Sequence, residues 1–225
     1  MSKFVLGLAI SLASVSTHAQ VAPAAGEISA YEGMLRAAHQ GDLESIRRLI
    51  AAGSDVNVTD TRGRSPIHIA AYESNDQAMR VLADAGADMN ALEGQAYDVV
   101  TIAAVANDPE LMSLAIELGN SPQLITSPYE GTALIAAAHL GHVEIVKELI
   151  GAGAPLDHVN NLGWTALMEA VVLGDGGTNH QAVVSSLIEA GADRTISDRD
   201  GKTPLQHAQA RGYVEIARLL QHQKP

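Results

Sequence analysis

Three groups of residues in this 225-residue chain have types and spacing that could do chemistry. His139 and His142 lie three apart, a spacing that on one helix face could hold a divalent metal. No His-Glu-x-x-His accompanies them and the chain has no cysteine, so a structural role for both is the simpler reading. Asp157-His158 looks like half of a catalytic pair, but no Gly-x-Ser-x-Gly elbow supplies a nucleophile. Asp175-Gly176-Gly177-Thr178-Asn179 resembles a calcium loop in composition only, lacking the alternating ligands and the distal glutamate, and reads as a flexible insertion. With no phosphate-binding loop and no dinucleotide fingerprint, no cofactor and no metal are expected, and the chain reads as no enzyme. A metal-dependent hydrolase built on His139, His142 and a nearby carboxylate is the weakest of the alternatives.

The elements that must position these residues repeat at about 33 residues. Six units begin near Glu32, Ser65, Asp98, Thr132, Thr165 and Thr203. Each opens on a segment such as Ser65-Pro66-Ile67-His68-Ile69-Ala70-Ala71 or Thr203-Pro204-Leu205-Gln206-His207-Ala208. Small pairs (Ala37/Ala38, Ala70/Ala71, Ala103/Ala104, Ala136/Ala137) allow first helices to approach closely. Apolar residues at helical spacing (Ile46, Leu49, Ile50; Met79, Leu82, Ala83; Ile145, Leu149, Ile150; Ile216, Leu219, Leu220) predict the buried stripe of second helices. Gly53, Gly86, Gly119, Gly153 and Gly191 stand where those helices must stop, since glycine enters the left-handed region at little cost. Serine or threonine before each first helix can cap it, and Pro66 and Pro204 fall in its first turn.

The period, the Thr-Pro-Leu-x-x-Ala openings and the turn Gly86-Ala87-Asp88-Met89-Asn90 resemble the ankyrin repeat, a β-turn followed by two helices. Gly141-His142-Val143-Glu144-Ile145-Val146-Lys147-Glu148-Leu149 carries the resemblance best, and it spans about residues 31–222. It implies an all-α solenoid of about six stacked helix-turn-helix repeats with short β-turn fingers, over residues 31–225. It also implies that His68 ties the turns of adjacent repeats together, and that Asp157 and His142 occupy turn positions. Repeat 3 departs from the pattern: it lacks Thr-Pro and His, carries Pro109 and Pro122, and is expected to be the least regular unit and a weak joint. Repeat 5 has about five extra residues between its helices, and the first and last units read as caps.

Residues 1–19 read as a cleaved secretory signal, with Lys3, an apolar stretch from Phe4 to Val15, and Thr17-His18-Ala19 before a cut at Gln20. Residues 20–30 read as a flexible leader. Export to a periplasm is expected, with full secretion as the alternative, and no membrane insertion after cleavage. The net charge of −12 becomes −13 once the signal removes one base and no acid. That balance disfavours nucleic acid and anionic lipid, whose phosphates need clustered cations.

In the ankyrin family the concave surface is built from finger tips and the exposed ends of first helices. Aligning the repeats places Tyr72, Tyr97, Tyr129 and Trp164 on that predicted face across repeats 2 to 5, with Arg62, Arg64, His139 and Lys202 around them, as well as Glu73, Gln95, Glu130 and Leu140. Exposed aromatics with a polar end are favoured anchors for partners. The expected function is that of a non-catalytic protein–protein interaction module, a monomeric chain holding another protein on its concave face. An accessory or protective factor for a periplasmic enzyme is the alternative.

Overall fold

The computed structural model describes residues 22–221. The expected signal over 1–19 and the polar end from His222 to Pro225 lie outside the described residues. Among those described there are thirteen helices and no strand, only an isolated bridge between Thr126 and Gly131. A short α1 (Ala25–Ser29) precedes six helix pairs. They are α2 (Gly33–Gln40) with α3 (Leu43–Ala51), α4 (Pro66–Tyr72) with α5 (Asp76–Asp84), and α6 (Val99–Ala106) with α7 (Pro109–Glu117). The remainder are α8 (Ala133–Leu140) with α9 (Val143–Gly151), α10 (Ala166–Val172) with α11 (Thr178–Ala190), and α12 (Pro204–Ala210) with α13 (Val214–Gln221). Inner helices stack on inner helices and outer on outer, the geometry of an all-α solenoid.

All six expected start residues are the N-caps of the inner helices. Asp98, Thr132, Thr165 and Thr203 each accept from the amide three residues on, worth about 1 kcal/mol apiece. The small pairs are buried, with one change of register: in repeat 4 the enclosed pair is Ala137/Ala138, and Ala136 is partly exposed. The outer stripe is buried at Ile46, Met79, Leu82, Ile145, Leu149, Ile216 and Leu220, with its flanking members half-covered. The five stop glycines all have positive φ, from +78° at Gly53 to +99° at Gly119 and Gly191.

Repeat 3 differs from expectation in where its weakness lies. Its helices are 8 and 9 residues long, the same as those of repeats 1 and 4. In place of the histidine, Thr101 Oγ1 donates to Asp98 Oδ1 at 2.5 Å and lies 3.0 Å from Thr126 Oγ1. Asn120 accepts from the Val100 amide at 2.9 Å and donates to Asp98 Oδ2 at 2.7 Å. The unit is therefore regular inside, and the looseness sits at its joint with repeat 2. There α4 and α6 are the least intimate inner pair, and the bidentate Arg80–Glu117 ion pair links α5 to α7.

The insertion in repeat 5 is packed rather than loose. Thr178 and Asn179 belong to α11, which runs to 13 residues. His180 Nδ1 lies 2.8 Å from Asp175 Oδ1, and Tyr213 donates to the Gly174 carbonyl at 3.0 Å. Gly176 (φ +74°) faces the Tyr213 ring so closely that an added Cβ would lie 2.5 Å from Cδ1. The leader also differs from expectation. Residues 25–29 are helical, Pro23 is buried, and Ile28 packs against the core.

Candidate partner-binding face

Each finger is a tight turn held by one polar side chain placed five residues before the N-cap of its inner helix. Asp60 accepts from the amides of Arg62 (2.8 Å) and Arg64 (3.0 Å). Glu93 accepts from Gln95 and Tyr97, Ser127 from Tyr129 and Gly131, Asn160 from Leu162 and Trp164, and Asp198 from Asp200 and Lys202. The residue three after each anchor has positive φ: Gly63, Ala96, Glu130, Gly163 and Gly201. This anchor was missed from sequence because its side chain changes identity in nearly every repeat. The signal that remains is a polar acceptor at a constant distance before the cap.

Neighbouring fingers are then tied together. The Gly94 amide donates to Arg62 O (2.7 Å), Ser127 to Ala96 O (2.7 Å) and Asn161 to Tyr129 O (2.9 Å). Arg199 reaches Asn161 O across the last gap. A Cβ at Gly94 would lie 2.5 Å from the Arg62 carbonyl, so only glycine permits the first of these approaches.

The predicted histidines are struts in the same framework. His68 Nδ1 accepts from the Ser65 amide at 3.2 Å, which leaves Nε2 to donate to Ala91 O at 3.0 Å, joining repeat 2 to the next finger. Burial lowers its pKa, keeping the ring neutral. His142 Nδ1 bonds Ala104 O at 2.9 Å and His180 Nε2 bonds His139 O at 2.9 Å. Asn75 does the same for Ala38 and His39. Each closes the carbonyl end of the preceding inner helix, which otherwise lacks partners. Asp157 accepts from the Asp193 amide at 2.8 Å while His158 bonds Glu130 O at 2.7 Å, so the two do not form a dyad. Among the described residues no group of three or more histidines and acids could hold a metal ion.

The structure divides the eight predicted face residues. Arg64 is a correction: it is fully enclosed, 2.7 Å from Asp60 and 3.0 Å from Glu27, and serves as an internal strut. Its ion pairs outweigh the burial that opposes its charge, and its pKa is raised. Tyr97 is a second correction, since only 6% of it is exposed and its carbonyl and amide both close the finger. Both stand next to the inner-helix cap, where the chain turns into the stack rather than out of it. Tyr72 is half-buried on the inner-helix wall, and burial raises its pKa. Arg62 is exposed but engaged by Glu27. Tyr129, Trp164 and His139 are half-exposed and Lys202 is exposed, all on repeats 4 to 6.

One residue absent from the expected set belongs with them. Glu169 sits on α10 at the inward position where α4 and α6 carry Ile69 and Ile102. Its side chain is 5% exposed, accepts from Asn160 Nδ2 at 2.9 Å, and lies 3.3 Å from His139 Nδ1. Repeats 2 to 4 carry Ile69, Ile102 and Ala136 at this position, and a carboxylate following that apolar run was the available sequence signal. Leu140 and Leu173, 39% and 40% exposed, follow this position on α8 and after α10.

A stack of helix pairs with cross-tied fingers defines a repeat protein with a long exposed face. Matches to the ankyrin-repeat families cover residues 34–97 and 100–193 (three copies) and 177–221 (many copies). The chain belongs to the ankyrin-repeat family. It is 36% identical over 188 residues to the ankyrin repeat protein YahD of Escherichia coli (strain K12), covering 83% of this chain and 92% of YahD. An ankyrin repeat domain from Acinetobacter baumannii AYE superposes with a TM-score of 0.77 at 40% identity, over 83% of this chain and 95% of that one. The ankyrin repeat protein EF0377 gives 0.77 at 33% identity, over 86% and 100%. The repeats make this chain a protein–protein interaction module, on a fold that is generally a non-enzymatic scaffold.

Proposed function

We propose that this protein is exported to the periplasm and there holds a partner protein on the concave face of repeats 4 to 6, acting by binding and not by catalysis. The observation that carries the reading is the half-exposed set of Tyr129 and Trp164, on fingers already tied through Asn161, and His139 of α8, which lies beside Glu169. Because backbone hydrogen bonds fix the fingers beforehand, association loses little ordering entropy. The net charge of −12 and the inward carboxylate favour a partner with a basic contact patch. The segment 1–19 supports export, and Lys202, exposed on the finger of repeat 6, lies at one end of the face.

The test is affinity capture from the native periplasmic extract, using the chain from Gln20 beside a Trp164→Ala/His139→Ala variant of equal Tm. One client retained by the first and lost by the second supports the reading. A client retained equally by both places binding elsewhere, and recovery of the protein only from the cytoplasmic fraction overturns the location.

A further inference from the structure

The concave face is not equally open along its length. At repeats 1 to 3 the chain's own N-terminal segment lies on it. At the finger end, Glu27 Oε2 is 3.0 Å from the Arg64 guanidinium and accepts from the Ala24 amide at 2.8 Å, while Oε1 pairs with Arg62 at 2.5 Å. Asp60 completes the cluster, taking Arg64 at 2.7 Å and the Tyr31 hydroxyl at 2.9 Å. At the opposite end of the inner helices, Ala22 lines a cavity of about 230 Å³ with Ala71, Tyr72, Ile102, Val105 and Leu111. That cavity lies at the joint between repeats 2 and 3, the loosest in the stack. Between the two ends Pro23 is buried and Ile28 rests on the core.

We infer that the groove of repeats 1 to 3 is a docking surface for a short Ala/Pro-containing segment with one helical turn bearing a carboxylate, and that residues 22–30 occupy it as a displaceable strap. The strap is held by Pro23 and Ile28 and by one charged latch. The Ala24 amide and the two guanidiniums hold the Glu27 carboxyl down to about 2, well below its ordinary range. Arg62, half exposed, is the member a competing carboxylate reaches first. A partner engaging this half of the groove must supply that carboxylate and expel residues 22–30. The repeats 4 to 6 face has no such occupant among the described residues. The inference rests on the proposal that partners bind the concave face, but its test uses no partner, so failure of the one leaves the other standing.

The chain has no cysteine, so Ala22→Cys gives a single nitroxide site in the full protein. The label should strongly broaden the methyl signals of Ile102 and Val105. Adding Glu27→Gln should lower the closed-to-open ratio of the strap about tenfold, the loss expected for a charge-assisted hydrogen bond to a guanidinium, and should weaken the broadening as the closed population falls. Arg62→Gln, on an exposed side chain, should act in the same direction without touching buried Arg64. A nitroxide-labelled peptide of residues 22–31, added in trans, should broaden the same methyls in the Glu27→Gln chain and leave the wild-type chain unaffected. Absence of broadening from a nitroxide at position 22 in the otherwise wild-type chain overturns the strap. Undiminished broadening in both latch variants overturns the latch. Equal broadening of the two chains by the peptide, or of neither, overturns the docking surface.

Discussion

Asn160 Nδ2 donates to Glu169 Oε1 at 2.9 Å, so the side chain that closes the finger of repeat 5 also holds the one carboxylate on the inner wall of that repeat. Finger shape and groove charge are thereby coupled. Glu169→Gln keeps an acceptor for Asn160 and should change unfolding free energy by less than about 1 kcal/mol. Glu169→Ala strands the Asn160 amide and removes the His139 partner, and should cost about 2 kcal/mol. Denaturant titration separates the two, and loss of partner capture in the glutamine variant alone would locate the charge as the recognised feature.

Trp164 tests the surface reading directly. Its backbone closes the finger through Asn160, while its side chain is half-exposed. Trp164→Ala should move Tm by no more than about 2 °C, as for a surface side chain, and should weaken capture. A collapse of the melting transition would make Trp164 a structural residue.

His68 sets a pH dependence whose sign follows from its burial. Its pKa in the folded chain is below the ordinary 6.5, so as pH falls through 6.5 the unfolded chain takes up the proton first. The contribution of His68 to stability is full above 6.5 and declines below it. Tm should fall between about pH 8 and about pH 5, and His68→Leu should lower Tm overall while flattening this slope. An unchanged slope in that variant would assign the acid sensitivity to other groups.

Repeat 3 stands on Asn120, which accepts from Val100 N and donates to Asp98 while being 2% exposed. Asn120→Ala should cost about 2 to 3 kcal/mol. Hydrogen exchange should show the loss in α6 and α7 before α12 and α13, because stacked repeats unfold at their weakest interface. Uniform loss across all six repeats would mean the joint between repeats 2 and 3 is not that interface.

What the sequence determined by itself is periodic: helix starts, stop glycines, buried stripes and the order of the stack. Each of these depends on residues within a turn or two of chain, through caps such as Thr165, positive φ such as Gly153, and apolar spacing such as Ile145 and Leu149. Tertiary structure decided which polar side chains face a partner and which face the protein. Arg64 and Arg62 are two residues apart and of one type, yet one is sealed between Asp60 and Glu27 and the other is half-exposed. Tyr97 and Trp164 hold the same place in their repeats, yet the first is buried and the second is not. The difference comes from neighbours distant in sequence, since burial and ion pairing are set by whichever segment packs alongside, including the N-terminal strap that local pattern alone read as a free leader.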